Sequence, residues 1–267
     1  MNPSEITSIL ARLGARPSKS KGQNFLVDGQ VADRHVEYAE VSCNDTILEV
    51  GPGLGILTTR LAEQAKKVIA IEADAKLAAY LRDVLPDNVE LIEGDALKVP
   101  FPPFDKFVSN IPYSISSPLI FKLLEHDFQR AAVMLQKEFA DRMVARPNTD
   151  DYSRLTVSVS YRAECRILEK VSRSKFWPSP KVDSAIVELI PHSPPFTLID
   201  EDFFFHLTTM LFQNRRKKIG TILKMRGLVQ GDDRSRLPYM DLRAEALAPE
   251  QIGELANRIC ELNLHKK

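Results

Sequence analysis

The sequence predicts a doubly wound α/β fold with a parallel sheet of about seven strands, followed by a small all-helical domain. Three observations predict it. Short apolar runs alternate with helical patterns between residues 46 and 110, a glycine-rich turn directly follows the first of those runs, and the proline-broken "PHSPPF" (191–196) is followed by helical periodicity alone. The expected division is 1–190 for the α/β domain, with an N-terminal helix and loop, and 191–267 for the helical domain.

Ile6, Ile9, Leu10 and Leu13 recur at helical spacing between Pro3 and Gly14, which predicts an N-terminal helix over 4–13. A basic, turn-rich piece follows, then a second helix at about 28–40. "TILEV" (46–50), "KVIAIEA" (67–73), "VELIEGD" (89–95) and "KFVSN" (106–110) read as short buried strands. Ile56, Leu57, Leu61 and Ala65, then Leu77, Tyr80, Leu81, Val84 and Leu85, mark helices between the first three, so those strands run parallel under helical crossovers. "AAVMLQ" (131–136), "RLTVSVSYRA" (154–163) and "SAIVELI" (184–190) complete the seven strands, with "KEFADRMVA" helical between the first two. Beyond 196, helices are expected over 203–212, 215–225 and 249–264.

The 267 residues carry 36 Lys and Arg against 36 Asp and Glu, so a nucleic-acid-binding surface has to be local. Cys43, Cys165 and Cys260 are odd in number and outside any C-x-x-C pair, which argues against a disulfide framework and a zinc site and for reduced thiols. No stretch is apolar for eighteen residues, and the N-terminal apolar pattern is too interrupted for a signal peptide. A soluble, cytoplasmic chain with no membrane partner and no metal is the expectation.

"LEVGPGLG" (48–55) is a strand running into glycines at 51, 53 and 55 and then a helix, a turn that lets backbone approach a ligand closely. The dinucleotide fingerprint wants its third glycine or alanine at position 56, which is Ile, and this weakens a nicotinamide reading. Glu72 closes the next strand, where a carboxylate grips ribose hydroxyls in several cofactor classes; Gly51, Gly53 and Glu72 together indicate an adenosine-containing ligand. Asp95, in "EGDAL", adds a second acid at the end of the third strand, where the exocyclic amine of a bound adenine would lie; a plain helix N-cap is the competing reading.

"NIPY" (110–113) follows the fourth strand. The exocyclic amine of a purine is a poor nucleophile because its lone pair is delocalised, so an enzyme alkylating it needs acceptors for both N–H groups. Asn110 supplies a side-chain oxygen, Pro112 a carbonyl, and Tyr113 a stacking ring worth about 1–3 kcal/mol per base. An ordinary turn is the alternative.

In "KSKGQNFLVD" (19–28), Gln23 and Asn24 are placed to reach a ligand's carboxylate and amine while Phe25 and Leu26 close over it, or the segment is a solvent loop stapled by Phe25. In "SKFWPSPK", Phe176 and Trp177 beside prolines offer a second stacking face for an extruded base, or core packing. Arg215, Arg216, Lys217, Lys218, Lys224 and Arg226 form a single-signed run with Ile219, Ile222 and Leu223 on the opposite helix face, which favours a phosphate-tracking surface over an idle solvated one.

Taken in order, "KGQNFLVD", "LEVGPGLGILT", "IEAD", "EGDAL", "NIPYSISSP", "FWPSPKVDSAIVEL" and "FQNRRKKI" resemble the KsgA-type ribosomal RNA adenine dimethyltransferases, relatives of the Erm resistance methylases. The resemblance spans nearly the whole chain. It implies a Rossmann-like class I methyltransferase sheet and S-adenosyl-L-methionine as cofactor. By it, Asn24, Leu26, Gly51, Glu72, Asp95, Ala96 and Asn110 contact the donor, Asn110 to Tyr113 hold the target adenine, and Phe176 is the aromatic opposite the base. It implies dimethylation at N6 of two neighbouring adenosines near the 3′ end of small-subunit (16S-type) rRNA, in a pre-ribosomal (30S-type) particle; a monomer is the expectation. The alternatives are an assembly factor acting mainly by binding, and an Erm-like methylase of large-subunit rRNA. Ile111 stands where leucine is common in the family, and Ser109 where Gly or Ala is usual.

Overall fold

The computed structural model describes residues 1–18 and 22–264, the side chains of 231–233 excepted. Lys19, Ser20 and Lys21 of the basic N-terminal loop lie outside the described residues. Asn2 and Glu5 cap each other's backbone to start α1 (Pro3–Arg12), whose Ile6, Ile9 and Leu10 are buried as their spacing requires. Asp28 caps α2 (Gly29–Tyr38) by accepting from Gln30 and Val31 N–H, and its carboxyl is held low by the Lys175 ammonium, 2.5 Å away.

The five strands β2 (Thr46–Val50), β3 (Lys67–Glu72), β4 (Val89–Glu93), β5 (Lys106–Asn110) and β6 (Arg130–Gln136) run parallel, and β9 (Ser184–Pro191) lies antiparallel to β6. With β7 (Ala163–Val171) at one edge, the sheet reads β4-β3-β2-β5-β6-β9-β7. The crossover helices α3 (Ile56–Gln64), α4 (Ala75–Val84) and α5 (Ser116–Leu123) bury Leu57 and Leu61, Leu77 and Leu81, and Leu119 and Ile120. A separate two-stranded pair, β1 (Phe25–Leu26) with β8 (Phe176–Trp177), brings Leu26 opposite Phe176.

β3 lies on one side of β2 and β5 on the other, so the winding reverses there, and such a switch point leaves a crevice at the strands' carboxyl ends. The β2–β5 ladder pairs only Ile47 with Lys106 and Leu48 with Phe107. Beyond it, the buried Ser109 hydroxyl donates to the Val50 carbonyl at 2.6 Å, tying the two strand ends by a side chain.

The chain divides into two compact units, 1–140 with 164–191, and 141–163 with 192–267. Residues 141–163, expected in the α/β domain, therefore go with the C-terminal helices. α6 (Lys137–Met143) runs across that division, and the expected strand 154–163 is a helix, α7 (Arg154–Arg162). Leu155, Val157, Val159 and Tyr161 alternate like a strand, yet Thr156 and Ser158 are buried as well. A helix covered on nearly every side has no polar stripe to reveal its period. The seventh strand is instead Ala163–Val171, whose Glu164, Arg166 and Lys170 suit a sheet edge.

In the second unit α7 packs in one core with α8 (Glu201–Gln213), α9 (Ile219–Met225) and α10 (Pro249–Glu261), through Val157, Phe204, Leu207, Ile222, Ile252 and Leu255. The helix expected over 215–225 begins only at Ile219. Arg215, Arg216 and Lys217 occupy the turn before it, and Lys218 is its N-cap. The turn folds Arg215 back onto the carbonyls of Asp150 and Thr149, at 2.6 and 2.7 Å, and onto Glu245 at 2.6 Å.

Candidate active site

The carboxyl ends of β2, β3, β4 and β5 surround a cavity of about 310 Å³. Gly51, Gly53 and Gly55 turn the chain from β2 into α3 with φ of 73°, 62° and 83°, a region that favours glycine. A Cβ on Gly51 would stand 3.0 Å from the Pro112 ring, so this glycine also lets the β2 turn touch the loop after β5. Gly51→Ala is expected to cost about 1–2 kcal/mol from the backbone alone and to displace Pro112. Unfolding and donor titrations on the variant check this; wild-type values in both would reject it.

Glu72 ends β3 and is buried. Its Oε2 accepts from Gly53 N–H at 3.2 Å and its Oε1 from Asp74 N–H at 2.8 Å, so the backbone aims the carboxylate before any ligand arrives. Burial pushes its pKa up, against those two bonds. Asp95 caps a single turn rather than a helix: Oδ1 accepts from Leu97 N–H at 3.0 Å, and Oδ2 makes only a 3.9 Å contact with Lys98. Capping therefore occupies one oxygen of this side chain and leaves the other without a close hydrogen bond among the described residues. Asp95 and the buried Ala96 both line the cavity.

Asn110 is the last residue of β5 and lines the same cavity, with Pro112 and Tyr113. Its side chain bonds to none of the described residues, which leaves the amide oxygen available. The Pro112 carbonyl already accepts Ile115 N–H at 3.0 Å, so one lone pair remains. Tyr113 is held in place by its hydroxyl, 2.7 Å from the Oγ of the buried Ser184 on β9, and burial raises its pKa.

Gln23 and Asn24 line the cavity but are partly engaged: Gln23 Oε1 accepts from Ser18 N–H at 2.8 Å, and Asn24 Nδ2 donates to the Gly22 carbonyl at 3.1 Å. Leu26 lines it from β1. Phe176 does not. It is 3% exposed and sits in a core cluster with Leu26, Val31 and Met134, because the expected aromatic loop is a strand paired with β1. Trp177 packs beside Phe25 and Leu54. Both aromatics took the packing alternative.

Glu49 is a further ionisable residue of the cavity, beyond those expected from the sequence. It is buried in the middle of an apolar strand and lines the cavity, and neither its Oε2 nor the buried Thr58 Oγ1 has a hydrogen-bond partner among the described residues. Burial, reinforced by the Glu72 carboxylate, pushes Glu49 up to about 8. An acid inside "TILEV" was the available signal, because an ionisable group in a doubly covered strand needs a partner. The folded chain holds this proton between the ordinary carboxyl range and pH 8 while the unfolded chain does not, so stability without ligand falls as pH rises through that window. Glu49→Gln should reduce the fall, with Glu72 retaining a part of it. Melting temperatures from pH 5 to 8.5 measure this, and an unchanged slope would reject it.

Glu72, Asp95 and the Asn110 amide thus line one cavity. A family model described as ribosomal RNA adenine dimethylase matches residues 15–259. The chain belongs to the ribosomal RNA adenine dimethylase family. This dimethylase is 49% identical over 249 residues to a probable ribosomal RNA small subunit methyltransferase A of Methanosarcina mazei, covering 90% of this chain and 92% of that one. It is 45% identical over 258 residues to the Thermococcus gammatolerans protein of the same description, covering 94% and 92%. Among solved structures, a dimethyladenosine transferase from Plasmodium falciparum superposes with a TM-score of 0.75 at 34% identity, covering 90% of this chain and 97% of that one. The 23S rRNA methyltransferase ErmE gives 0.67 at 32%, covering 89% and 100%. Among the described residues of the dimethylase, no three His, Cys, Asp or Glu side chains are grouped to hold a metal ion, and no helix is long and apolar enough to cross a membrane.

Proposed function

We propose that the dimethylase transfers methyl groups from S-adenosyl-L-methionine, held in the β2–β5 cavity, to N6 of adenines in small-subunit ribosomal RNA. The observation that carries this is the convergence of Glu72, Asp95 and Asn110 on one cavity, at the ends of three strands. The residues present fit the donor: Glu72 suits ribose hydroxyls, Asp95 Oδ2 the adenine amine, and the buried Glu49 Oε2 an ammonium group. The donor supplies an electrophilic methyl group.

The chain's own contribution is positioning. Asn110 Oδ1 accepts one N–H of the target amine, and the free lone pair of the Pro112 carbonyl accepts the other, which draws the nitrogen toward tetrahedral geometry. Tyr113, fixed by Ser184, stacks on the base. Neither Asn110 nor Pro112 takes up a proton at neutral pH. The nitrogen would gain the methyl carbon as the carbon–sulfur bond of the donor breaks, leaving a neutral thioether, and the nitrogen's proton goes to water.

Two neighbouring adenosines near the rRNA 3′ end, in a pre-ribosomal particle, are the proposed target, with the chain acting as a cytoplasmic monomer without metal. The exposed cations Arg216, Lys217, Lys224 and Arg226 are the proposed phosphate contacts. Arg215 and Lys218, bonded to Glu245 and Asp241, shape that surface. Phe176 packs with Leu26, its partner across the β1–β8 pair, which lines the cavity. Incubating purified small subunits lacking the modification, and large subunits in parallel, with labelled donor and then mapping the label tests this reading. Label confined to large-subunit rRNA would replace it with the Erm-like alternative.

A further inference from the structure

Lys122 lies in the last turn of α5, the helix that starts three residues after Tyr113. Its ammonium donates to the Ala96 carbonyl at 2.7 Å and to the Val99 carbonyl at 2.6 Å, and stands 4.1 Å from the centroid of the Phe101 ring. Two carbonyls and an aromatic face thus enclose it. Burial lowers its pKa, as expected for an ammonium drawn out of water.

Both carbonyls belong to the turn that carries Asp95. Within that turn Gly94 N–H bonds the Glu72 carbonyl at 2.8 Å, and Lys98 and Val99 N–H bond the Asp95 carbonyl at 2.8 and 2.9 Å. The Ala96–Leu97 peptide is fixed at both ends, its carbonyl by Lys122 and its N–H by Asp95 Oδ1. Rotating that peptide would carry the Asp95 carboxylate with it and re-aim Oδ2. A methionine at 122 would still cover Phe101 but would leave both carbonyls without this donor.

We propose that Lys122 is a positioning residue for donor recognition: through the Ala96 and Val99 carbonyls it holds Asp95 Oδ2 where it reads the exocyclic amine of the donor's adenine. This rests on the cavity being the S-adenosylmethionine site. Lys122 touches no reacting atom, so it acts on donor affinity and selectivity and not on the methyl-transfer step.

The test titrates full-length wild type, Lys122→Met, Lys122→Arg and Asp95→Ala with S-adenosylhomocysteine and with S-inosylhomocysteine, which carries oxygen in place of the adenine amine. Lys122→Met should weaken S-adenosylhomocysteine about tenfold, remove most of the preference over the inosyl compound, and raise the donor KM while leaving kcat within about twofold. Lys122→Arg, which keeps a cation able to donate to both carbonyls, should restore most of the preference. Adding Lys122→Met to Asp95→Ala should cost little more, because one acts through the other. If Lys122→Met fails to fold, Lys122→Gln carries the same comparison. An unchanged preference in the lysine variants, with Asp95→Ala impaired, overturns the role of Lys122 and leaves the cavity assignment intact. An Asp95→Ala protein that binds both compounds like wild type overturns both.

Discussion

Asn110→Ala is expected to lower turnover at saturating donor by about a hundredfold or more, the scale seen when one preorganised polar group is removed from a transition state. Asn110 combines an unengaged amide with a fixed backbone. The Ser109 hydroxyl bonds Val50 on one side of it, and Ile111 N–H bonds the Met134 carbonyl at 3.1 Å on the other. The fold therefore retains its shape when the amide is removed, and the melting temperature should move little. Asn110→Asp keeps an acceptor oxygen but adds a charge to a cavity already holding Glu49, Glu72 and Asp95, so it should recover only part of the rate. Single-turnover methylation of small subunits, with a melting curve for each variant, checks the pair. Near-normal turnover in the alanine variant would remove Asn110 from the chemistry. The same variant separates catalysis from assembly: normal subunit maturation in cells carrying only the inactive protein would favour the binding role.

What the sequence disclosed follows from how each segment is buried. β2, β3, β5 and β6 sit in the sheet interior, covered on both faces, and their uniform apolar runs were legible as strands. α7 failed because a helix buried all round shows no stripe, and β7 because a charged edge strand shows no alternation. Glu72 and Asp95 were legible as acids that line one cavity, since strand ends after a glycine turn have few uses for paired carboxylates. Glu49 was not, because its distinction is a buried carboxyl oxygen with no hydrogen-bond partner among the described residues, which only three dimensions reveal. Phe176 was misjudged for the complementary reason: prolines suggested exposure, whereas a two-residue pairing with β1 turned the ring inward. Lys122 also escaped notice, since a lysine near a helix end ordinarily reads as a solvated charge and only the two turn carbonyls give it another meaning.

The basic run is the second place where the structure sharpens an expectation, by dividing six cations into two kinds. Arg216, Lys217, Lys224 and Arg226 are exposed and form no ion pair with an acid among the described residues, whereas the exposed Lys218 pairs with Asp241 and the half-buried Arg215 spends its guanidinium on Thr149, Asp150 and Glu245. Replacing Arg216, Lys217, Lys224 and Arg226 with alanine should weaken binding to small-subunit rRNA and make its logarithmic salt dependence shallower by about three, since each phosphate contact to single-stranded nucleic acid contributes about 0.7 and slightly more on a duplex. Donor affinity should not change, because Glu72, Asp95 and Asn110 belong to the other unit. Arg215→Ala should behave differently: it removes charge-assisted bonds that tie the turn before α9 to the segment before α7, and should lower stability by about 2 kcal/mol with little change in salt slope. Filter binding from 50 to 400 mM salt, paired with denaturant unfolding, distinguishes the two. A fourfold variant with the wild-type slope would mean that these cations face only water, and RNA recognition would have to be sought elsewhere on the molecule.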